Sequence, residues 1–97
     1  MKYLKKNGFK VIEKNYLCKS GEIDIIASKE NCLYFIEVKA SDEYDTIEML
    51  RAAKKKRLIK SIELYLLKHP QYQDMDLALH LLTVANGKCE LVEDILA

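Results

Sequence analysis

The 97-residue sequence is poor in the residues that hold small extracellular domains or zinc sites together. Its three cysteines, Cys18, Cys32 and Cys89, are odd in number, far apart and without a C-x-x-C pair. It has only two histidines, His69 and His80. A disulfide framework and a zinc centre are therefore both disfavoured, and we expect the cysteines to be buried thiols.

Long apolar segments and a strong excess of one charge are also absent. No apolar run approaches the roughly 20 residues that a membrane helix needs, and residues 1–6 lack the apolar segment of a signal peptide. We therefore expect a cytoplasmic protein with no membrane partner. Because the formal net charge is +1, affinity for nucleic acid has to come from a local cluster, and one is present at positions 54–60. The length suits one domain over residues 1–97.

Two apolar strands joined by a short polar loop occupy residues 21–39, and charged residues stand at one end of both. If Glu30 and Asn31 form a two-residue turn, Asp24 faces Glu37 across the strands. Like charges so placed repel each other, and a divalent cation between them removes the penalty. Carboxylate oxygens suit Mg²⁺ or Mn²⁺.

Strand alternation predicts which side chains accompany the two acids. Glu22 and Lys39 fall on the same face, where Lys39 can hold a phosphate or an attacking water. The other reading of this face is a solvated surface in which Lys39 pairs with Glu22 or Asp24. The opposite face should carry apolar side chains, those of Ile23, Ile25, Ile36 and Val38.

The remaining pattern predicts an α/β fold. A short helix over residues 2–6 precedes a strand over residues 9–16, in which we expect Tyr16 on the face of Phe9 and Val11. The elements that follow are the hairpin, a helix from Asp45 or Thr46 to about His69, a buried strand over 77–84, and a terminal hairpin through Asn86 and Gly87 into 89–92. The strand over 77–84 should lie parallel to the second strand of the hairpin.

Basic side chains of the long helix fall into two groups. Lys54 lies between Leu50 and Leu58 on the apolar stripe, so its ammonium group either reaches solvent from a packed stem or reaches the acidic cluster. The second group points away from the stripe. It forms either a solvated helix face or a surface for a nucleic-acid backbone, and it consists of Lys55, Lys56, Arg57 and Lys60.

An acid on one strand followed by E-x-K on the next resembles the PD-(D/E)XK phosphodiesterase superfamily, which includes restriction enzymes and Holliday junction resolvases. Asp24 and the Glu37-Val38-Lys39 tripeptide occupy the motif positions. The N-G-F, K-N-Y, G-E-I-D and F-I-E-V-K segments and the K-x-x-R helix resemble, over nearly the whole chain, the YraN-like family of small bacterial predicted endonucleases. The resemblance implies a restriction-endonuclease-like three-layer core: helix, three-strand antiparallel meander, helix, parallel strand and a small C-terminal hairpin.

The same resemblance implies a Mg²⁺- or Mn²⁺-dependent endonuclease that hydrolyses DNA, including branched or structured DNA. Asp24, Glu37 and the Val38 carbonyl would bind the metal, and Lys39 would orient the nucleophilic water or stabilise developing charge. Glu22 and Lys54 would support these residues. The second group of basic residues would contact the nucleic-acid backbone.

Two departures from the family pattern predict weak activity that Mn²⁺ favours. The chain lacks the acidic residue of the family's first helix, and Ser41 and Asp42 stand where an arginine commonly follows the E-x-K motif. Two alternatives therefore stand beside catalysis. One is a nuclease-fold nucleic-acid-binding module that no longer cleaves, and the other is a small interaction protein that forms a homodimer through a sheet edge.

Overall fold

A computed structural model describes residues 2–40, 52–85 and 88–92, which contain five strands, two α-helices and one turn of 3-10 helix at Pro70–Tyr72. Side chains are described over the same ranges except at positions 39, 40, 52–55, 85, 90 and 92. The elements in chain order are α1 (Lys2–Lys6), β1 (Lys10–Cys18), β2 (Gly21–Lys29), β3 (Cys32–Ala40), α2 (Ala52–Lys68), β4 (Asp76–Ala85) and β5 (Lys88–Val92).

The strands form one mixed sheet in the order β1-β2-β3-β4-β5. β3 and β4 are parallel, and the other neighbouring pairs are antiparallel. The predicted mixed α/β element order is confirmed, although β1 continues to Cys18 rather than ending at Tyr16. The predicted start of the long helix at Asp45 or Thr46 lies outside the described residues, as does the turn at positions 86–87.

A two-residue turn joins β2 to β3, as predicted. Glu30 and Asn31 have φ angles of 49° and 60°, and Lys29 pairs with Cys32 on either side of them. Two left-handed residues give a hairpin turn whose twist matches that of the flanking strands, and asparagine tolerates this conformation better than most residues. The turn therefore suits the register of the hairpin pairs, which run from Lys29–Cys32 to Ile25–Ile36.

α2 packs on one face of the sheet through its predicted apolar stripe. Leu58, Ile62 and Tyr65 are buried against Ile26 and Phe35, among other residues of the sheet. Residues three and four apart lie on the same side of a helix, so this spacing produces a continuous packed face. α2 is thereby fixed against the strands that carry the charged residues.

Tyr65 is the largest fully buried side chain among the described residues. Its ring stacks on His69 with centroids 4.0 Å apart, and the His69 Nδ1 atom lies 2.9 Å from the Tyr65 carbonyl oxygen. Burial, and to a smaller extent the negative charge of Glu13, raises the pKa of the Tyr65 hydroxyl well above its usual value. The Tyr65 ring also meets the ring of Tyr16 in β1 edge to face, with centroids 4.9 Å apart, so Tyr65 holds the C-terminal half of α2 against β1.

α1 packs against the opposite face of the sheet. Leu4 and Phe9 join a second cluster with Ile25, Ile36 and Leu82, among others. The helix ends where Gly8 adopts a φ of 87°. The Phe9 amide then donates to the Leu4 carbonyl at 2.9 Å. The Gly8 amide donates to the Lys5 carbonyl at 3.1 Å. These two bonds form a Schellman motif, which needs a left-handed residue at the position of Gly8.

Two expectations from composition concern membrane helices and the state of the cysteines. None of the described helices is long and apolar enough to cross a membrane. Cys18, Cys32 and Cys89 are thiols outside any disulfide. The prediction that they are buried is wrong, since all three are half-buried and each lies near an end of its strand.

Candidate functional site

Two of the three predicted metal ligands, Asp24 and Glu37, line one cleft between the sheet and α2, whereas Val38 does not line it. This front cleft has a volume of about 290 Å³. Three carboxylates face it, those of Glu22, Asp24 and Glu37, together with the guanidinium-bearing residue Arg57. The remaining lining residues are Ser20, Gly21, Leu58 and Ser61.

Asp24 lies where the pairing between β2 and β3 ends. The pairs run from Lys29 and Cys32 to Ile25 and Ile36 and do not extend to Asp24 and Glu37. Instead, the Val38 amide donates a hydrogen bond of 2.8 Å to the Asp24 Oδ2 atom. The expected pairing of Asp24 with Glu37 is thus replaced by a contact in which the carboxylate occupies the place of a backbone acceptor.

The same contact indicates where the Val38 carbonyl lies. In a strand, the N–H and C=O groups of one residue point toward the same neighbouring strand. Because the Val38 amide reaches Asp24 on β2, the Val38 carbonyl also points toward the gap between β2 and β3 rather than toward β4. A backbone carbonyl and a carboxylate therefore border the same gap.

Two predictions about faces are wrong near this point. Ile23 packs with Ile26 on the α2 side, whereas Ile25 packs on the α1 side. Regular alternation would place residues two apart on one face, so β2 turns over near Asp24. Tyr16 packs on the α2 side and not with Val11 on the α1 side. These two residues are five positions apart, and a β-bulge lies between Val11 and Glu13.

A second cleft lies behind Asp24. This rear cleft has a volume of about 310 Å³ and is lined by Lys14, Asn15, Asp24, Ile25 and Val38. Asp24 therefore borders the front cleft and the rear cleft at once. A side chain that lies in the plane of the sheet, reaching across to β3, accounts for contact with both.

The carboxylates of the front cleft differ in their exposure. Glu37 is only 6% exposed, Asp24 is half-buried and Glu22 is exposed. A carboxylate loses more hydration the more deeply it lies, so a nearby cation stabilises Glu37 most. Arg57 borders the same cleft and supplies one positive charge.

α2 presents its described basic residues in two different settings. Arg57 is exposed and lines the front cleft, whereas Lys56 and Lys60 are exposed and do not line it. The prediction that Arg57 points away from the sheet with its neighbours is therefore only partly right. The side chains of Lys39, Lys54 and Lys55 lie outside those described.

Cys18 lies beside the front cleft, at the end of β1. Burial alone would raise the pKa of its thiol. Ser61, the backbone of Ser20 and Gly21, and the positive charge of Lys68 together favour the thiolate more than burial disfavours it, so the pKa of Cys18 lies below its usual value. The polar groups at this end of the cleft therefore favour negative charge on the sulfur.

The donor set fits a hard cation with few protein ligands. Among the residues described, no three histidine, cysteine, aspartate or glutamate side chains form a group that could hold a metal. Two carboxylates, those of Asp24 and Glu37, share the front cleft, and Val38 lines the rear cleft on the other side of Asp24. Mg²⁺ is commonly bound by one or two carboxylates, retained waters and the substrate's phosphate oxygens.

Sequence reasoning missed several residues of the site. Ser61 is only 1% exposed on the packed side of α2, and its hydroxyl donates to the Arg57 carbonyl at 3.0 Å. A serine on an apolar helical stripe was the available signal. Asn15, with a φ of 52° inside a strand, was also missed, because alternation patterns do not reveal a left-handed residue.

Comparisons with known proteins identify close relatives. The profile of the uncharacterised protein family UPF0102 matches residues 1–84. A UPF0102 protein of Helicobacter hepaticus is 41% identical over 93 residues, which are 96% of this chain and 83% of that protein. A UPF0102 protein of Helicobacter pylori strain HPAG1 is 43% identical over 96% of this chain and 80% of its own length. One from Campylobacter fetus is 37% identical over 97% of this chain and 83% of its own length.

Proposed function

This chain belongs to the UPF0102 family, and we propose that it is a Mg²⁺- or Mn²⁺-dependent endonuclease that hydrolyses phosphodiester bonds in DNA. The observation that carries the proposal is the meeting of Asp24 and Glu37 in one cleft, bordered by Arg57. Carboxylates that share a cleft with a basic side chain suit a cation and a phosphate together. We further propose that the mixed sheet with a helix on each face is a restriction-endonuclease-like core.

Three groups of this chain would hold the metal. They are the carboxylates of Asp24 and Glu37 and the carbonyl of Val38. The Asp24 Oδ2 atom already accepts the Val38 amide, which leaves the Oδ1 atom as the available ligand. A bound Mg²⁺ or Mn²⁺ supplies Lewis-acid stabilisation of the phosphate and lowers the pKa of water.

The other residues of the site would act on the phosphate and the water. Arg57 can donate two parallel hydrogen bonds to non-bridging phosphate oxygens, which holds the phosphate in one orientation. Lys39 follows Glu37 by two positions in β3, and its ammonium group would orient the attacking water or stabilise charge as the phosphorus–oxygen bond breaks. Glu22, which lines the front cleft, would support these groups, as would Lys54 of α2.

Exposed basic residues of α2 would extend the contact along the nucleic acid. Lys56 and Lys60 are exposed beyond the cleft, and Lys55 lies in the same helix. Such residues neutralise backbone phosphates without reading the bases. In a substrate with branched or unpaired regions, a single strand would be able to enter a cleft of this size. We propose that the protein is located in the cytoplasm.

A cleavage assay tests the proposal. Wild type, Glu37→Gln and Lys39→Ala are incubated with a four-way junction, a flap and a linear duplex in Mg²⁺ or Mn²⁺. Glu63→Gln on the exposed side of α2 is the matched control. We expect metal-dependent cleavage by wild type and the control. Each site substitution should lower the rate by at least about 10²-fold, the usual loss when a preorganised electrostatic contact is removed.

Two outcomes would overturn this proposal. Cleavage that survives both site substitutions would place the activity elsewhere, provided that circular dichroism shows intact folds. Metal binding and DNA binding without cleavage would favour the nucleic-acid-binding module that does not cleave. That second function is supported by the exposed Lys56 and Lys60 alone, without any need for the carboxylates.

A further inference from the structure

Asn15 is a left-handed residue within a β-strand. Its φ angle is 52°, in a region that residues other than glycine rarely occupy and that asparagine enters most readily. The pairs Lys14–Ile25 and Tyr16–Ile23 flank it, so Asn15 stands opposite Asp24. A strained backbone thus lies directly beside a proposed metal ligand.

The two strands turn over together about this pair. In β1, Lys14 lines the rear cleft, whereas Tyr16 packs on the α2 side. In β2, Ile25 packs on the α1 side, whereas Ile23 packs on the α2 side. Residues two apart should share a face. The register is the same before and after the break, so neither strand gains a residue relative to the other there.

We infer that Asn15 is a positioning residue for Asp24. Its left-handed backbone rotates β1, and β2 follows because the pairing is kept. At the turning point the Asp24 side chain projects from neither face of the sheet but lies in its plane. This orientation explains why Asp24 borders both clefts and accepts the Val38 amide at 2.8 Å.

A second left-handed asparagine provides a matched control. Asn31 has a φ of 60° in the β2–β3 turn and does not line either cleft. A β-branched residue is strongly disfavoured in this conformation, and glycine adopts it freely. Asn15→Val and Asn31→Val therefore impose comparable backbone strain at two places, and Asn15→Gly relieves it at the first.

The test measures the ratio of two amide hydrogen-exchange rates, that of Val38 divided by that of Ile36, the last residue of β3 that pairs with β2. A general loss of stability raises both exchange rates, so a change in their ratio reports the Asp24 contact. We expect the ratio to rise roughly tenfold in Asn15→Val. It should stay near the wild-type value in Asn15→Gly and Asn31→Val. If Asn15→Val does not fold, Asn15→Ala provides the same comparison.

An unchanged ratio in the Asn15 variant that folds, or an equal rise in Asn31→Val, would overturn the inference. Mn²⁺ affinity is a second measurement, and its interpretation rests on the proposed function. We expect Asn15→Val to weaken Mn²⁺ binding about tenfold, as is usual for residues that orient metal ligands, and Asn31→Val to leave it unchanged. If wild type binds no Mn²⁺, the proposed function fails, while the exchange ratio still decides the role of Asn15.

Discussion

The Val38 amide donates its hydrogen bond to the Asp24 carboxylate at 2.8 Å, where the pairing between β2 and β3 has ended. A carboxylate that replaces a backbone acceptor is held more firmly than one on an exposed strand face. The contact therefore ties one proposed metal ligand to the strand that carries the other, Glu37. It also gives Asp24 a structural role that must be separated from any chemical one.

Substitutions at Asp24 should separate those two roles. Asp24→Ala leaves the Val38 amide without its acceptor, and we expect it to lower the free energy of unfolding by about 1–3 kcal/mol. Asp24→Asn keeps an oxygen that can accept the same hydrogen bond, so this variant should lose less of the free energy of unfolding. Urea denaturation measures both. Equal losses for the two variants would mean that the hydrogen bond contributes little.

Arg57 should matter more for DNA than its neighbour Lys60. Both are exposed basic residues of α2, but only Arg57 lines the front cleft. Lys60→Ala should weaken DNA binding slightly and reduce the salt dependence by about one charge at most. Arg57→Ala should in addition lower the cleavage rate at saturating DNA, because Arg57 would orient the phosphate. Equal cleavage rates at saturating DNA for Arg57→Ala and Lys60→Ala would contradict a role for Arg57 in the cleft.

Tyr65 should dominate the attachment of α2. Tyr65→Ala removes a fully buried aromatic side chain, and such truncations cost about 3–5 kcal/mol in the free energy of unfolding. Leu67→Ala is the control, because Leu67 is 74% exposed on the same helix and its loss should stay within about 0.5 kcal/mol. Chemical denaturation of both variants checks this difference, and similar losses would contradict the packing of α2.

Cys18 should react as a thiolate at a lower pH than an ordinary cysteine. The thiolate is the nucleophile, and the pKa of Cys18 lies below its usual value, so more of it is ionised near neutral pH. Its alkylation rate should therefore rise at a lower pH than that of a cysteine in an unfolded peptide. Ser61→Ala removes a hydroxyl that can donate to the ionised sulfur in place of the Arg57 carbonyl, and it should shift the Cys18 profile to higher pH. Mass spectrometry of the labelled Cys18 peptide gives the rate. An unshifted Cys18 profile in Ser61→Ala would contradict the contact.

Local sequence patterns were sufficient for most of the fold. The Glu30–Asn31 turn fixed the register of the hairpin, and apolar spacing located the packed stripe of α2. The position of Asp24 was not predictable in the same way. Alternation assumes extended residues throughout a strand, so it could not reveal that β1 and β2 turn over near Asn15. Ile23 was assigned to the wrong face for that reason. The expectation for Tyr16 was wrong because it departed from strict alternation, which places residues 11 and 16 on opposite faces.

The composition of the site was only partly predictable. Glu22, Asp24 and Glu37 line the same cleft, but Asp24 contacts the Val38 amide instead of pairing with Glu37 as the strand pattern predicted. Ser61 and Arg57 reach the same cleft from α2, and their place depends on how the helix is oriented on the sheet. Helical spacing identifies the packed side of a helix but not which strand residues it will meet.

The most direct test of the metal site is a calorimetric titration of Mn²⁺ into wild type, Asp24→Asn and Glu37→Gln. Asp76→Asn is the control, because Asp76 is an exposed acid at the opposite end of the strands, paired with Cys32. We predict that wild type and the control bind Mn²⁺ with equal affinity and that each cleft variant binds it at least about tenfold more weakly. Absence of binding by wild type, or equal binding by all four proteins, would contradict a metal site at Asp24 and Glu37.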